Sequence, residues 1–148
     1  MGNRILVVDD HDVVRHGVLL ILRSHPEWEI VGEAGDGFDA IAKTQSLDPD
    51  LVILDISMPR KDGLEVLTEL VQMKVRARIL VLTMHESTEL AHALKTAGAF
   101  GYVVKTQAAR DLVRAVQDIL NGVSFFPVPA PALEPSPITN PTASPARP

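Results

Sequence analysis

The sequence predicts an α/β protein, a three-layer α/β/α sandwich around a parallel five-stranded sheet. Five short apolar runs rich in β-branched residues alternate with five segments of helical spacing. Three of those runs are apolar at consecutive positions, as strands covered on both faces must be. The chain has 148 residues, 46% of them hydrophobic, enough for one ordinary domain with a substantial core.

The elements follow in order. The first run is Ile5–Val8, and a stripe of Val14, Val18, Ile21 and Leu22 comes after it, with Asp12 as its candidate start. The second run, Glu29–Val31, precedes Ala40, Ile41 and Leu47, which Asp36 would cap. The third, Leu51–Leu54, precedes Leu64, Leu67, Leu70 and Val71, opened by Asp62. The fourth, Ile79–Leu82, leads through Ser87 to Leu90, Ala93, Leu94 and Ala97, with Gly98 as the stop. The fifth, Gly101–Val104, leads through Thr106 to Leu112, Ala115, Val116, Ile119 and Leu120, with Gly122 as the stop. Alternation of this kind implies right-handed βαβ crossovers.

The folded domain is expected over 1–123. Eight of the eleven prolines fall between Pro127 and Pro148, so 124–148 reads as an extended, disordered tail or linker.

Composition excludes several classes. The net charge of −5 argues against a nucleic-acid-binding domain in this segment. Without cysteine there is no disulfide scaffold and no thiolate chemistry. No apolar run approaches a membrane span, and Ile5–Val8 is too short for a secretory signal. The expected location is the cytoplasm, away from membranes.

Ligands of open α/β sheets bind beyond the carboxyl ends of the strands. The first strand ends in Asp9–Asp10, the third in Asp55, the fourth in Thr83 and the fifth in Lys105. Three carboxylates, a hydroxyl and an ammonium should therefore share one rim. Carboxylates at close quarters repel unless a cation lies between them, and Mg²⁺ prefers oxygen ligands. Asp10 and Asp55 are candidate direct ligands, and Asp9 could hold a metal-bound water. A carboxylate facing Mg²⁺ can attack phosphorus. Lys105 and Thr83 could then serve the phosphoryl oxygens, because such transfers depend on positioning and charge stabilisation. Asp55, at the end of a central strand before the turn Ile56–Pro59, is the expected acceptor, with its carboxylate exposed at the rim.

The segments ILVVDDHDVVRHGV, LVILDISMPRKDGLEVL, ILVLTMHES and GAFGYVVK make the sequence resemble the receiver domain of two-component response regulators. The wording LTMHE and DISMP is most similar to the NarL/FixJ type, whose members carry a LuxR-type helix-turn-helix output domain. The resemblance implies the flavodoxin-like (βα)5 receiver fold with sheet order 2-1-3-4-5. It implies a Mg²⁺ site of Asp9, Asp10, Asp55 and the Ser57 backbone carbonyl. It implies phosphorylation of Asp55 by a sensor histidine kinase, phosphoryl contacts from Thr83 and Lys105, and Tyr102 as the switching aromatic. The surface of the fourth helix, fifth strand and fifth helix would then control dimerisation or partner binding. The expected protein is a phosphorylation switch in transcription regulation rather than a turnover enzyme, with DNA reached only through an output domain outside this sequence. A stand-alone receiver and a truncated one both fit.

Many receivers have proline after the lysine with a cis bond there. Thr106 stands at that position, so a trans bond or a slightly different fifth loop is expected. The remaining residues carry plainer expectations. Met58 and Met84 read as gap fillers near the site. The five histidines, scattered over different elements, read as surface residues. His85 is set apart as a residue that could line the entrance and tune dephosphorylation. Arg110 and Arg114 read as a solvated helix face.

Overall fold

The computed structural model describes residues 3–58 and 61–127. Strands β1 (Asn3–Val8), β2 (Trp28–Ala34), β3 (Leu51–Asp55), β4 (Arg78–Thr83) and β5 (Gly101–Val104) form one parallel sheet of order β2-β1-β3-β4-β5. The interleaved helices are α1 (Asp12–Arg23), α2 (Gly37–Leu47), α3 (Gly63–Gln72), α4 (Thr88–Ala97) and α5 (Ala108–Leu120).

Side-chain alternation along the strands makes two cores. Leu6, Val8, Val52, Leu54, Ile79 and Val81 pack against Val66, Leu67, Leu70 and Leu94 on one face. Ile5, Val7, Leu51, Ile53, Leu80 and Leu82 meet Leu19, Leu22, Leu112, Val116 and Ile119 on the other. In α3 Val66 joins Leu67 and Leu70 on the inward side, whereas Leu64 and Val71 are partly exposed at the margins of the stripe. In α4 only Leu94 is fully inward, and Ala93 faces out.

Three of the expected helix starts cap as anticipated. Asp36 accepts from the Asp39 N–H at 2.9 Å, and Ser87 accepts from Leu90 at 3.0 Å. Asp62 and Glu65 form a reciprocal capping box. Two starts differ. His11, not Asp12, precedes α1, and Asp12 instead pairs with Arg15 at 2.6 Å. Thr106 lies in a 3-10 turn, Lys105–Gln107, that delays α5 to Ala108. The Lys105–Thr106 bond is trans, as expected. Gly98 ends α4 with φ 105°, a left-handed conformation that favours glycine, and a Cβ there would come within 2.9 Å of Val71.

The fold also extends past its expected end near residue 123. Phe125 N–H donates to the Phe100 carbonyl at 2.9 Å, and Tyr102 N–H donates to the Phe125 carbonyl at 3.0 Å. Residues 124–127 thus form a strap along the outer side of β5. A Cβ on Gly101 would lie 2.2 Å from the Phe125 carbonyl, so only glycine admits the strap this closely. Phe126 packs edge-on against the Tyr102 ring at 6.1 Å, and the Tyr102 hydroxyl donates to the Pro127 carbonyl at 3.1 Å. Two adjacent aromatic residues gain from burial what a proline tract alone cannot. The rest of the expected tail, from residue 128, lies outside the described residues, as do Pro59 and Arg60.

Candidate functional site

Parallel register brings the site together. β1 and β4 flank β3, and β5 lies beyond β4, so the ends of four strands open on one rim. Leu54 pairs with Val8, and Asp55 pairs with Leu82. The Asp9 N–H continues the ladder to the Ala34 carbonyl at 3.0 Å. The carboxylates of Asp9 and Asp55 therefore project just past the last apolar layer.

Lys105 bridges them. Its Nζ lies 3.0 Å from Asp55 Oδ1 and 3.3 Å from Asp9 Oδ2, and its side chain is itself almost fully buried. The Ser57 N–H donates to Asp55 Oδ1 at 3.1 Å. The loop after Asp55 closes through Gly63 N–H to the Ile56 carbonyl at 2.9 Å. A Cβ on Gly63 would fall 2.3 Å from the Asp55 carbonyl, so glycine is required there for the start of α3 to approach the end of β3.

Asp55 was expected to be exposed, and the structure corrects this: Asp55 and Asp9 are both fully buried, with Lys105 held against them. Burial pushes the Asp55 carboxyl up to about 6, the Lys105 and Ser57 contacts oppose the rise, and the nearby Asp9 charge adds to it. Asp9 Oδ2, Asp10 Oδ1 and Asp55 Oδ2 are buried oxygens without a hydrogen-bond donor. Carboxylates have only acceptor sites, and the single Lys105 ammonium does not neutralise three of them, so these oxygens fit a hard divalent cation better than any neutral ligand. Asp9, Asp10 and Asp55 together offer such a set.

His11 is exposed, as expected for the histidines, but its ring also borders the site. Its Nδ1 lies 3.1 Å from Asp10 Oδ1, 3.3 Å from Asp9 Oδ1 and 3.9 Å from Asp55 Oδ2. Its backbone N–H also donates to Asp9 Oδ1 at 2.9 Å, which turns the chain into α1. The available signal was adjacency, because a residue that directly follows the paired aspartates must emerge at the same rim.

Thr83 is buried at the end of β4, and its hydroxyl turns into its own loop. It donates to the His85 carbonyl at 3.0 Å and accepts from the His85 N–H at 3.2 Å. His85 meets Thr83 through its backbone rather than its ring. Tyr102 is almost fully buried between β5 and the strap. Met58 is buried in the core as expected. Met84 is not a gap filler. It is 49% exposed, and with Val14, Val18, Ile21 and Ala108 it lines a cavity of about 320 Å³ that reaches Lys105. Arg110 and Arg114 are exposed and pair with Asp111 and Asp118 on their own helix. Among the described residues, no helix is long and apolar enough to cross a membrane.

The profile of the family described as "Response regulator receiver domain" matches residues 5–117. The transcriptional regulatory protein DegU of Brevibacillus brevis is 36% identical over 124 residues, covering 83% of this chain and 52% of DegU. The DNA-binding transcriptional activator DevR/DosR of Mycobacterium tuberculosis is 38% identical over 123 residues, covering 83% of this chain and 57% of that protein. The chain thus spans little more than half the length of these curated relatives. Among solved structures, a LuxR-family two-component response regulator from an Aurantimonas species superposes with a TM-score of 0.80 at 35% identity, covering 84% of this chain and 89% of that one. The non-phosphorylated receiver domain of the Escherichia coli stress response regulator RcsB superposes with a TM-score of 0.80 at 27% identity, covering 86% of this chain and 100% of that one.

Proposed function

The chain belongs to the response regulator receiver family, and from that premise we propose that it is a phosphorylation switch whose acceptor is Asp55. The contact that carries this reading is the 3.0 Å approach of Lys105 Nζ to Asp55 Oδ1, among buried carboxylates of other strands. The phosphoryl donor is a sensor histidine kinase. An Asp55 carboxylate oxygen attacks the phosphorus, the bond from phosphorus to the histidine nitrogen breaks, and an acyl phosphate remains on Asp55.

Asp9, Asp10, Asp55 and the Ser57 carbonyl would hold Mg²⁺. When bound, the ion supplies positive charge that lets the crowded carboxylates ionise together and receives phosphoryl oxygens. Lys105 moves its ion pair from the bare carboxylate to the phosphoryl group. Thr83 gives up its bonds to the His85 backbone and donates to a phosphoryl oxygen. His85 follows with its loop, and its exposed ring at the mouth tunes how water reaches the phosphoryl group and hence the rate of dephosphorylation.

These contacts are stronger in the phosphorylated state, so they can shift a population between two packings. Thr83 is register-paired with Val104, two residues from Tyr102, so its movement reaches the side of the sheet where Tyr102 and the strap lie. The surface of α4, β5 and α5 then controls dimerisation or partner binding. The chain is a switch that catalyses its own phosphoryl transfer rather than a turnover enzyme. It acts in transcription regulation in the cytoplasm, with DNA reached through an output domain.

Radiolabelled acetyl phosphate with Mg²⁺ tests the acceptor. Label should enter the full chain at Asp55, and Asp55→Asn should abolish it. Undiminished labelling of that variant overturns the assignment.

A further inference from the structure

We propose that His11 is a nitrogen ligand to the cation of the acidic rim, and that it shifts the site's preference from Mg²⁺ toward first-row transition ions, Mn²⁺ among them. The inference rests on the cation site described above and adds a residue to it.

The geometry is that of a shared coordination sphere. Two ligand atoms at right angles on one ion, with bonds of about 2.0–2.2 Å, lie about 3.0 Å apart, and opposed ones about 4.3 Å apart. His11 Nδ1 stands 3.1 Å from Asp10 Oδ1, 3.3 Å from Asp9 Oδ1 and 3.9 Å from Asp55 Oδ2. The first two spacings match neighbouring ligands, and the third falls between neighbouring and opposed. One ligand atom from each of Asp9, Asp10, His11 and Asp55 lies within 4.8 Å of the others.

Burial supports the same conclusion. The two oxygens that face His11 Nδ1 from Asp10 and Asp55, Oδ1 at 3.1 Å and Oδ2 at 3.9 Å, are buried atoms without a hydrogen bond, so the ring borders a point that hydrogen bonding does not fill. The His11 ring covers that point from the solvent side, 58% exposed, so a cation can enter beneath it and the ring can adjust. The ring is not engaged in capping α1, since no side-chain cap bond is present there. A helix-capping role therefore does not account for its orientation.

Ligand chemistry gives the functional consequence. Mg²⁺ favours oxygen and gains little from an imidazole, whereas first-row transition ions gain more from nitrogen, Mn²⁺ the least of them and the later ions progressively more. With His11 in place, the ratio of Mn²⁺ to Mg²⁺ affinity should exceed that of an otherwise identical all-oxygen site. The ion that supports phosphorylation would then depend on which divalent metal is available.

The experiment uses the full chain selectively labelled with ¹⁵N-histidine and loaded with Mn²⁺. Pulsed electron paramagnetic resonance should show a directly coordinated ¹⁵N nucleus, and His11→Ala should remove that coupling. Calorimetric titration with each ion alone should show the Mn²⁺ to Mg²⁺ affinity ratio falling about tenfold in the same variant, while circular dichroism reports an unchanged fold. Bound Mn²⁺ without any ¹⁵N coupling, or an unchanged ratio, overturns the inference and leaves the acceptor assignment standing. Failure of both ions to bind overturns the cation site itself and His11's part in it.

Discussion

Lys105 Nζ sits between Asp55 Oδ1 and Asp9 Oδ2, at 3.0 and 3.3 Å, and one buried ammonium thereby holds together two strand ends that are not neighbours of its own strand. Removing one partner of a buried ion pair leaves an uncompensated charge, at a cost of about 3 kcal/mol. Lys105→Met should therefore lower the stability of the metal-free chain by about that amount. Mg²⁺ should restore part of the loss, because it supplies the missing positive charge. Urea unfolding with and without Mg²⁺ measures both. Equal losses in the two conditions would show that Lys105 and the cation do not serve the same carboxylates.

Under the proposed function, replacing Thr83 should separate acceptance from response. Its hydroxyl is bonded only to the His85 backbone, so Thr83→Ala should leave acetyl phosphate labelling within about threefold of the parent chain. The labelled variant should lose the change in Tyr102 environment and any phosphorylation-dependent dimerisation. Tyrosine fluorescence and sedimentation, compared before and after labelling, check this. A full response in the variant would uncouple Thr83 from the switch.

Asp50 lies at the opposite end of the sheet and predicts a pH dependence. The Arg4 backbone N–H at 2.7 Å and the Arg76 guanidinium hold its carboxyl below the ordinary value of 3.8, against a smaller opposing effect of burial. The unfolded chain then takes up the proton more readily than the folded one, so stability rises with pH through this range. Asp50→Ala should cost about 1–2 kcal/mol at pH 7. The difference from the parent should shrink as pH falls below 3.8. Denaturant midpoints at pH 7 and pH 3 give the comparison, and a gap of the same size at both would exclude the ionic contribution.

The strap makes a local prediction. Deleting residues 124–148 removes the acceptor of the Tyr102 N–H, so hydrogen exchange at that amide should accelerate by at least about tenfold while the amides of β3 stay protected. Phe126→Ala, which keeps the backbone bonds and removes the ring, should lower stability by about 1–2 kcal/mol with little change at the Tyr102 amide. Unchanged exchange after the deletion would mean that the strap does not close β5.

Much of the framework was legible in the sequence because it rests on periodicity. Consecutive apolar residues at Leu51–Leu54 required burial on both faces, and the polar residue after each strand could be read by counting. The rim followed once the strands were parallel. What escaped depended on direction rather than spacing. His11 is exposed, yet its ring also turns toward the carboxylates, and spacing alone does not set that direction. Asp55 was expected to be exposed because it ends a strand, yet Lys105 folds back across it. Thr106 has the composition of a helix cap, but a tight turn intervenes and hands the start of α5 to Ala108. Phe125 and Phe126 were masked by the prolines beside them, although two aromatic rings at the end of an amphipathic helix are apolar area seeking cover.

The backbone of Phe125 leaves no vacancy along the outer margin of β5 where it lies. The Phe100 carbonyl and the Tyr102 amide, through which a foreign strand would have to register, are both taken by the chain itself. While the strap is seated, two copies of this protein cannot zip into a continuous ribbon across that margin. At the seated strap they can meet through side chains, an association that can be dissolved without unravelling either fold.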